Sequence, residues 1–362
     1  MNTIKSIRKD FFEMKDLFLE SDRGYFLFFR KMAMNMQEMF TDMVDHKKIP
    51  LVFIHGNPHI ENYTITKNGA GLVDFDRSRI GSYSWDIVRF LSSLSLKKEG
   101  KSKEFLSPIV TEYFKEGYLR GLNSPNMEFK GISQTLEKIE YKVWHKSITD
   151  YLDSNTKWVK KMRKNSVSTD DKDLNQLVKR YLKSREDSSK FKDYKIEEAG
   201  KAVGTFGNRR YLVVISYNEK GKNIKNFIEV KTVYTDKDSK YYYNPYKHHG
   251  IRMIKASKIY AKGLELGLGY TTYQGTEYWG REIPYMNAKV KQNLSLHEQI
   301  DIAYSVGTQL AKGHVTTLQK GVKVSELQSH FLKNYTKFGK ISKKLNLELE
   351  EIYLDCKKRV NE

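Results

Sequence analysis

Two apolar runs of this chain end in polar clusters whose side chains suit phosphoryl transfer. LVFI at 51–54 runs into HGNPHIEN, and GLV at 71–73 runs into DFD. Asn57 and Asn62 are five apart, and Asp74 and Asp76 follow Asn62 by twelve and fourteen residues. Magnesium prefers oxygen ligands and takes only one or two from a protein, leaving the rest to water and phosphate. Asn62 and Asp74 suit that role as metal ligands. Asn57 is placed to orient an acceptor hydroxyl, His59 lies two residues further along the same loop, and Asp76 is a carboxylate able to accept a proton. If LVFI and AGLVDF pair as a hairpin around KNGAG, the two loops open side by side. The plainer alternative is a hairpin whose polar ends are merely solvated; the combined spacing and the SWD that follows outweigh it.

A second cluster lies far along the chain. Gly204, Thr205, Phe206 and Gly207 sit between AV and the strand-like RYLVVISY, where backbone N–H groups of a glycine loop can approach phosphates. Lys231, in IEVK on the next strand, can direct a point charge at the same phosphates. A simple hairpin turn and an edge-strand lysine are the alternatives for these residues taken singly.

The elements that must position these residues follow from hydrophobic period. Residues 4–45 read as helices, with SDRGYFLFFRKMAMNMQEMF opened by a Ser-Asp start signal at Ser21–Asp22. SWDIVRFLSSLSL, PIVTEYFKEGYLRGL and QTLEKIEYKVWHKSITDYL continue the helical pattern. From about Trp158 to Lys192 the chain is polar and lysine-rich, and reads as a connection with one or two weak helices. RYLVVISY and NFIEVKTV then form strands around NEKGKN. The helix HGIRMIKASKIYAKGL follows, then strands in TTYQGTEYWGREIPYMNAKVK. A helix capped by Ser295 with Glu298 at its third position comes next, and the C-terminal stretch is helical.

At 362 residues, 39% hydrophobic and 13% aromatic, the chain can bury a substantial core. It contains no run of about 18 apolar residues, and its charged N-terminus does not suit a signal peptide. No membrane association and a cytoplasmic location are expected. One cysteine, Cys356, excludes an internal disulfide and a thiolate metal cluster. A formal charge of +20 attracts phosphate-rich partners. The lysines are interspersed with acids and no nucleic-acid-binding module is visible, so a solvated basic surface is preferred to nucleic acid as the main partner.

The blocks SDRGYFLFFRKMAMNM, HGNPHIENYTI, LVDFDRSRIGSYSWDIVRFLSSL, AVGTFGNRRYLVV, IEVK, YWGREI and LAKGHV occur in this order from about Ser21 to His314. In them the chain resembles the bacterial family called domain of unknown function 2252, whose members read as protein-kinase-like (aminoglycoside phosphotransferase-like) with permuted motif order. The resemblance implies an α+β, two-lobed, circularly permuted kinase-like fold. A helical lobe with the metal loops would span 1–190, a small antiparallel β lobe 191–291, and helices returning to the first lobe 292–362. It implies that Asn62 and Asp74 bind Mg2+, that Lys231 pairs with ATP phosphates under a loop containing Gly204, Thr205 and Gly207, and that Asp86 braces the first loop through backbone hydrogen bonds. Arg30 matches an arginine of the family's first block; an ion pair in the helical lobe is its preferred reading.

Three departures stand out. Asn57 replaces an Asp, Ala202 replaces the first glycine of the loop, and Lys255 stands where an acid would hold Lys231. The expected function is ATP- and magnesium-dependent phosphoryl transfer to a small-molecule or protein hydroxyl. A nucleotide-binding pseudokinase acting as scaffold or regulator is the alternative, and a basic nucleic-acid-binding protein is a second.

Overall fold

The computed structural model describes all residues except 1, 20–22, 97–106, 125–143, 205 and 290–293. The Ser21–Asp22 start signal, much of the helix read into 134–152, and Thr205 therefore lie outside the described residues.

The structure is α+β. The N-terminal aromatic stripe forms α1 (Asn2–Glu13), α2 (Lys15–Leu19), α3 (Gly24–Lys31) and α4 (Ala33–Thr41). Most of their Phe and Met residues pack into the largest core, as helical spacing on one face requires, while Phe12 stays exposed. The next strands are β1 (Leu51–Ile54), β2 (Tyr63–Thr66), β3 (Gly69–Leu72) and β4 (Arg79–Ser82). β1 pairs antiparallel with β4, and β2 pairs with β3 around Lys67 and Asn68. The expected LVFI–AGLVDF hairpin is thus corrected: the strand leading to Asp74 pairs with the strand leaving Asn62, and LVFI pairs beyond the Asp loop. The residues entering and leaving both loops are tied together either way.

α5 (Tyr83–Leu94) is buried over its whole length, including Asp86 and Arg89. α6 (Pro108–Asn123) precedes three helices in the segment read as a connection: α7 (Ile148–Asp153), α8 (Lys157–Lys164) and α9 (Lys172–Ser184). These are not a bare linker, because each buries its apolar stripe on the sheet that follows. That antiparallel sheet contains β5 (Lys195–Val203), β6 (Arg209–Glu219), β7 (Lys222–Thr232), β8 (Gly269–Tyr273) and β9 (Thr276–Glu282), in the order β5-β6-β7-β9-β8. Strand alternation sends Val213, Ile215, Ile228 and Val230 to one face, against Leu174, Leu177 and Tyr181 of α9. Leu212, Val214 and Phe227 take the other face, against Tyr151 and Leu152 of α7 and Val159 and Met162 of α8.

α10 (His249–Tyr260) lies between β7 and β8, and β10 (Asn287–Lys289) adds to β2. α11 (Leu296–Thr316) has the expected capping box of Ser295 and Glu298. With α12 (Val324–Asn361) it returns to the largest core beside α5 and α6. Among the described residues no helix is long and apolar enough to cross a membrane.

Candidate functional site

The loop after β1 is held from beneath by α5. Asp86 accepts the backbone N–H of His55 at 2.7 Å and of Gly56 at 2.9 Å, while Trp85 Nε1 donates to the Gly56 carbonyl at 2.7 Å. The third partner of Asp86 is His314 of α11, with Nε2 at 3.1 Å. Asp86 thus makes the backbone hydrogen bonds expected of a brace, from inside the core. Gly56 has φ +87°, and a Cβ there would lie 2.0 Å from the Arg77 carbonyl oxygen, so only glycine lets the Asn57 loop touch the Asp76 loop.

Asn57 is tied down. Its Oδ1 accepts Arg89 Nε at 2.8 Å, and its backbone carbonyl accepts Asn62 Nδ2 at 3.4 Å. Arg89 is fully buried, lies 3.5 Å over the Phe29 ring, and donates to the Phe29 carbonyl at 3.0 Å. Among the described residues no carboxylate stands within ion-pair distance of it, and burial, with Arg30 and Arg77 nearby, lowers its pKa well below the usual range. His59, expected to line the loop, is instead fully buried edge-on to Phe26. Burial and then Arg30 and Arg89 hold it neutral.

Asp74 has φ +74°, a left-handed conformation unfavourable for a residue with a Cβ and found preferentially at functional sites. Lys231 Nζ comes from β7 to lie 3.9 Å from Asp74 Oδ1 and 2.9 Å from Asp76 Oδ2. Lys231 and Asp76 are both buried. Burial opposes the lysine's charge, but Asp76, Asp74 and Glu229 outweigh it and raise its pKa. For Asp76 burial exceeds the pull of Lys231, so its pKa rises to about 6. Asp76 takes the place of the acid missing at Lys255, which is exposed on α10. The same helix contributes Arg252, buried and donating to the Asp76 carbonyl at 3.0 Å, to the Ser78 carbonyl, and to the Tyr234 carbonyl at 3.0 Å.

Gly204 and Gly207 form a tight turn in which Gly207 N–H donates to the Gly204 carbonyl at 3.0 Å, with φ +90° at Gly207. The Phe206 ring of this turn lies 5.8 Å from the guanidinium of Arg30 on α3. Arg30 also lies 3.9 Å from Asp74 Oδ2 and 4.0 Å from Glu61 Oε2. Its ion pair was expected in the helical lobe, and both partners lie in that lobe's two loops. Ala202 buries its methyl group in the core under α8, which accounts for a side chain where a loop glycine was expected.

Arg210 and Trp279 are the register partners of Lys231 on the neighbouring strands. Two residues along the same face, Glu229 pairs with Arg210 at 2.5 Å and Arg281 at 3.2 Å, and Arg281 also pairs with Glu265. The turn, Lys231, Asp74 and Asp76 therefore form one constellation.

Sequence reasoning missed Arg89, Arg252 and the Glu229 network. An arginine inside SWDIVRFLSSL, three residues after Asp86, was the available signal, since an amphipathic helix normally keeps that face apolar. A cavity of about 370 Å³, bounded by the β2–β3 turn, the start of β7 and residues 282–286, contains none of the site residues.

Asp76 Oδ1, Arg30 Nε, Arg210 Nε and Trp279 Nε1 are buried without a hydrogen-bond partner among the described residues. Orphaned polar atoms around a lysine and two carboxylates fit a polar ligand that completes their bonding. No three His, Cys, Asp or Glu among the described residues group as metal ligands. An all-protein cage is therefore absent from that part of the chain, whereas Asn62 and Asp74 match the sparse protein ligation that magnesium uses with phosphate.

A mixed α+β chain with this charged constellation at the ends of short antiparallel strands defines the class. The chain belongs to the family described as an uncharacterized protein conserved in bacteria, DUF2252, which matches residues 22–359. No curated protein and no solved structure matches the chain.

Proposed function

We propose that this protein is an ATP- and magnesium-dependent phosphotransferase, with a two-lobed protein-kinase-like fold in permuted order. The observation that carries the reading is Lys231, which meets Asp76 across 155 residues of sequence and brings the glycine turn to the Asn62 and Asp74 loops. Asn62 and Asp74 would hold the metal, and Lys231 and the backbone around Gly204 and Gly207 would hold the nucleotide phosphates. Bound magnesium would neutralise phosphate charge, which is most of what phosphoryl transfer asks of a site. The acceptor oxygen bonds to the γ-phosphorus as the bond to the β–γ bridging oxygen breaks. That electron pair leaves on the diphosphate, and the hydroxyl proton passes to Asp76.

A small-molecule acceptor is favoured over a protein. The segment 77–82 after Asp76 is pinned as β4, bridged to Tyr243 and tied through Arg77 and Arg79 to Asp236. No loose segment there is left to seat a peptide.

A pseudokinase is the second reading, favoured by Asn57: its Oδ1 is engaged by Arg89, and an amide cannot take a proton. Thermal stabilisation by Mg-ATP separates the outcomes, because stabilisation grows with ligand concentration over Kd. Mg-ATP is expected to stabilise the parent, and Asp74→Ala is expected to abolish the shift while unfolding as cooperatively as the parent. Equal stabilisation of both would remove Asp74 from the site. Binding without any turnover would select the pseudokinase.

A further inference from the structure

Arg30 is not held as a structural ion pair is held. Its distances to Asp74 Oδ2 and Glu61 Oε2 are 3.9 and 4.0 Å, beyond hydrogen-bond reach, and its Nε is buried without a partner among the described residues. Glu61 has a much closer cation in Arg23. Asp76 is likewise paired with Lys231. That leaves Asp74 facing two cations, with Lys231 3.9 Å from one of its oxygens and Arg30 3.9 Å from the other. Arg77 and Arg89 add further positive charge, and Arg30 and Arg77 lower the pKa of Arg89 after burial has done so. A forked guanidinium and an ammonium thus flank one carboxylate, and both are groups that bond phosphate oxygens.

We propose that Arg30 contacts the transferred phosphoryl group, as an arginine finger supplied by the chain's own third helix. The proposal rests on the phosphotransferase reading above. In the loose transition state negative charge spreads over the three equatorial oxygens of the phosphoryl group, and a cation placed there before reaction stabilises that charge more than it stabilises bound nucleotide. Phe206 over the guanidinium couples the finger to the glycine turn, since the turn that covers the phosphates also packs on Arg30. Arg30 transfers no proton and forms no bond to phosphorus.

The test uses the full chain and needs no acceptor. Binding of Mg-ADP is compared with and without aluminium fluoride, which occupies the place of the phosphoryl group in flight, for the parent, Arg30→Lys and Arg30→Ala. Aluminium fluoride is expected to tighten Mg-ADP binding to the parent, and Arg30→Ala to lose that gain by on the order of 10²-fold or more. Binding of Mg-ADP alone should change less than about threefold. Arg30→Lys, which keeps the charge and the fold but not the fork, should recover part of the gain. An undiminished aluminium fluoride effect in Arg30→Ala, or in Arg30→Lys should the alanine variant not fold, overturns the finger and leaves the phosphotransferase reading standing. So does equal loss of Mg-ADP binding with and without aluminium fluoride. A parent that binds no Mg-nucleotide overturns both.

Discussion

Asn57 and Arg89 form a pair in which one partner has the wrong charge. Arg89 is fully buried, and the Asn57 amide oxygen at 2.8 Å is what meets its Nε. A hydrogen bond to an ionised partner is about twice as strong as a neutral one, and a buried charge is costly until it is paired. Asn57→Asp should therefore raise unfolding stability by roughly 1–2 kcal/mol, read as a higher urea midpoint at unchanged slope. It should also raise phosphoryl transfer if the rest of the site is intact, because a carboxylate there adds a proton acceptor in addition to Asp76, and a positioned general base is worth about 10²–10⁴ in rate. A lower midpoint would show that Arg89 is satisfied as it stands. Asp76 gives the second prediction at this scale. Its folded pKa of about 6 lies above the ordinary 3.8, so between those values the folded state binds more protons than the unfolded state. This contribution is fully present below the unfolded pKa and is lost as pH rises through about 6. Lowering pH from 7 to 5 should therefore stabilise the parent relative to Asp76→Asn, by roughly 1 kcal/mol. Lys231 does not interfere, since its raised pKa keeps it charged throughout this window. Denaturant midpoints of the two proteins across that range check the sign, and parallel curves would mean that Asp76 titrates normally.

At the scale of elements, the brace on the Asn57 loop depends on how closely α11 approaches α6. A Cβ at Gly307 would sit 2.3 Å from the Phe114 carbonyl oxygen, and one at Gly117 would sit 2.1 Å from the Tyr304 carbonyl oxygen. Both obstructions are backbone, which cannot swing aside. Gly307→Ala should destabilise by about 1–3 kcal/mol, despite alanine's better helix propensity. Because α11 also carries His314, which hydrogen-bonds Asp86, the same change should weaken Mg-ATP stabilisation beyond the general loss. A neutral Gly307→Ala would show that the two helices separate without cost. Helices and strands of this kind were readable where their period was strong: the Ser295 cap, β6 with β7, and α5 all occur where patterning put them. Strand partners were not. LVFI and GAGL are both short and apolar, and nothing in either sequence says which neighbour it takes; the choice falls to β4, whose other edge is bridged to Tyr243.

Across the whole molecule, 64 basic against 44 acidic residues give a charge of +20, and self-repulsion at that excess opposes compaction. Added sodium chloride should raise the thermal midpoint, since screening weakens net repulsion more than it weakens exposed ion pairs of small worth. Calorimetry between low and moderate salt decides; a falling midpoint would mean that ion pairs outweigh repulsion. Composition and local spacing by themselves determined a large α+β protein, the loops of Asn62 and Asp74, and the lysine strand, because residue type, period and turn chemistry act over a few neighbours. Only the tertiary structure decided that Asp76 rather than a helix acid holds Lys231, that Arg89 occupies Asn57, that His59 is packed away, and that Arg30 reaches Asp74 beneath Phe206. Each of these contacts joins residues at least 30 positions apart or depends on burial. Long side chains such as arginine and lysine reach whichever partner the packing of separate elements brings within a few ångströms, and no local pattern encodes that meeting.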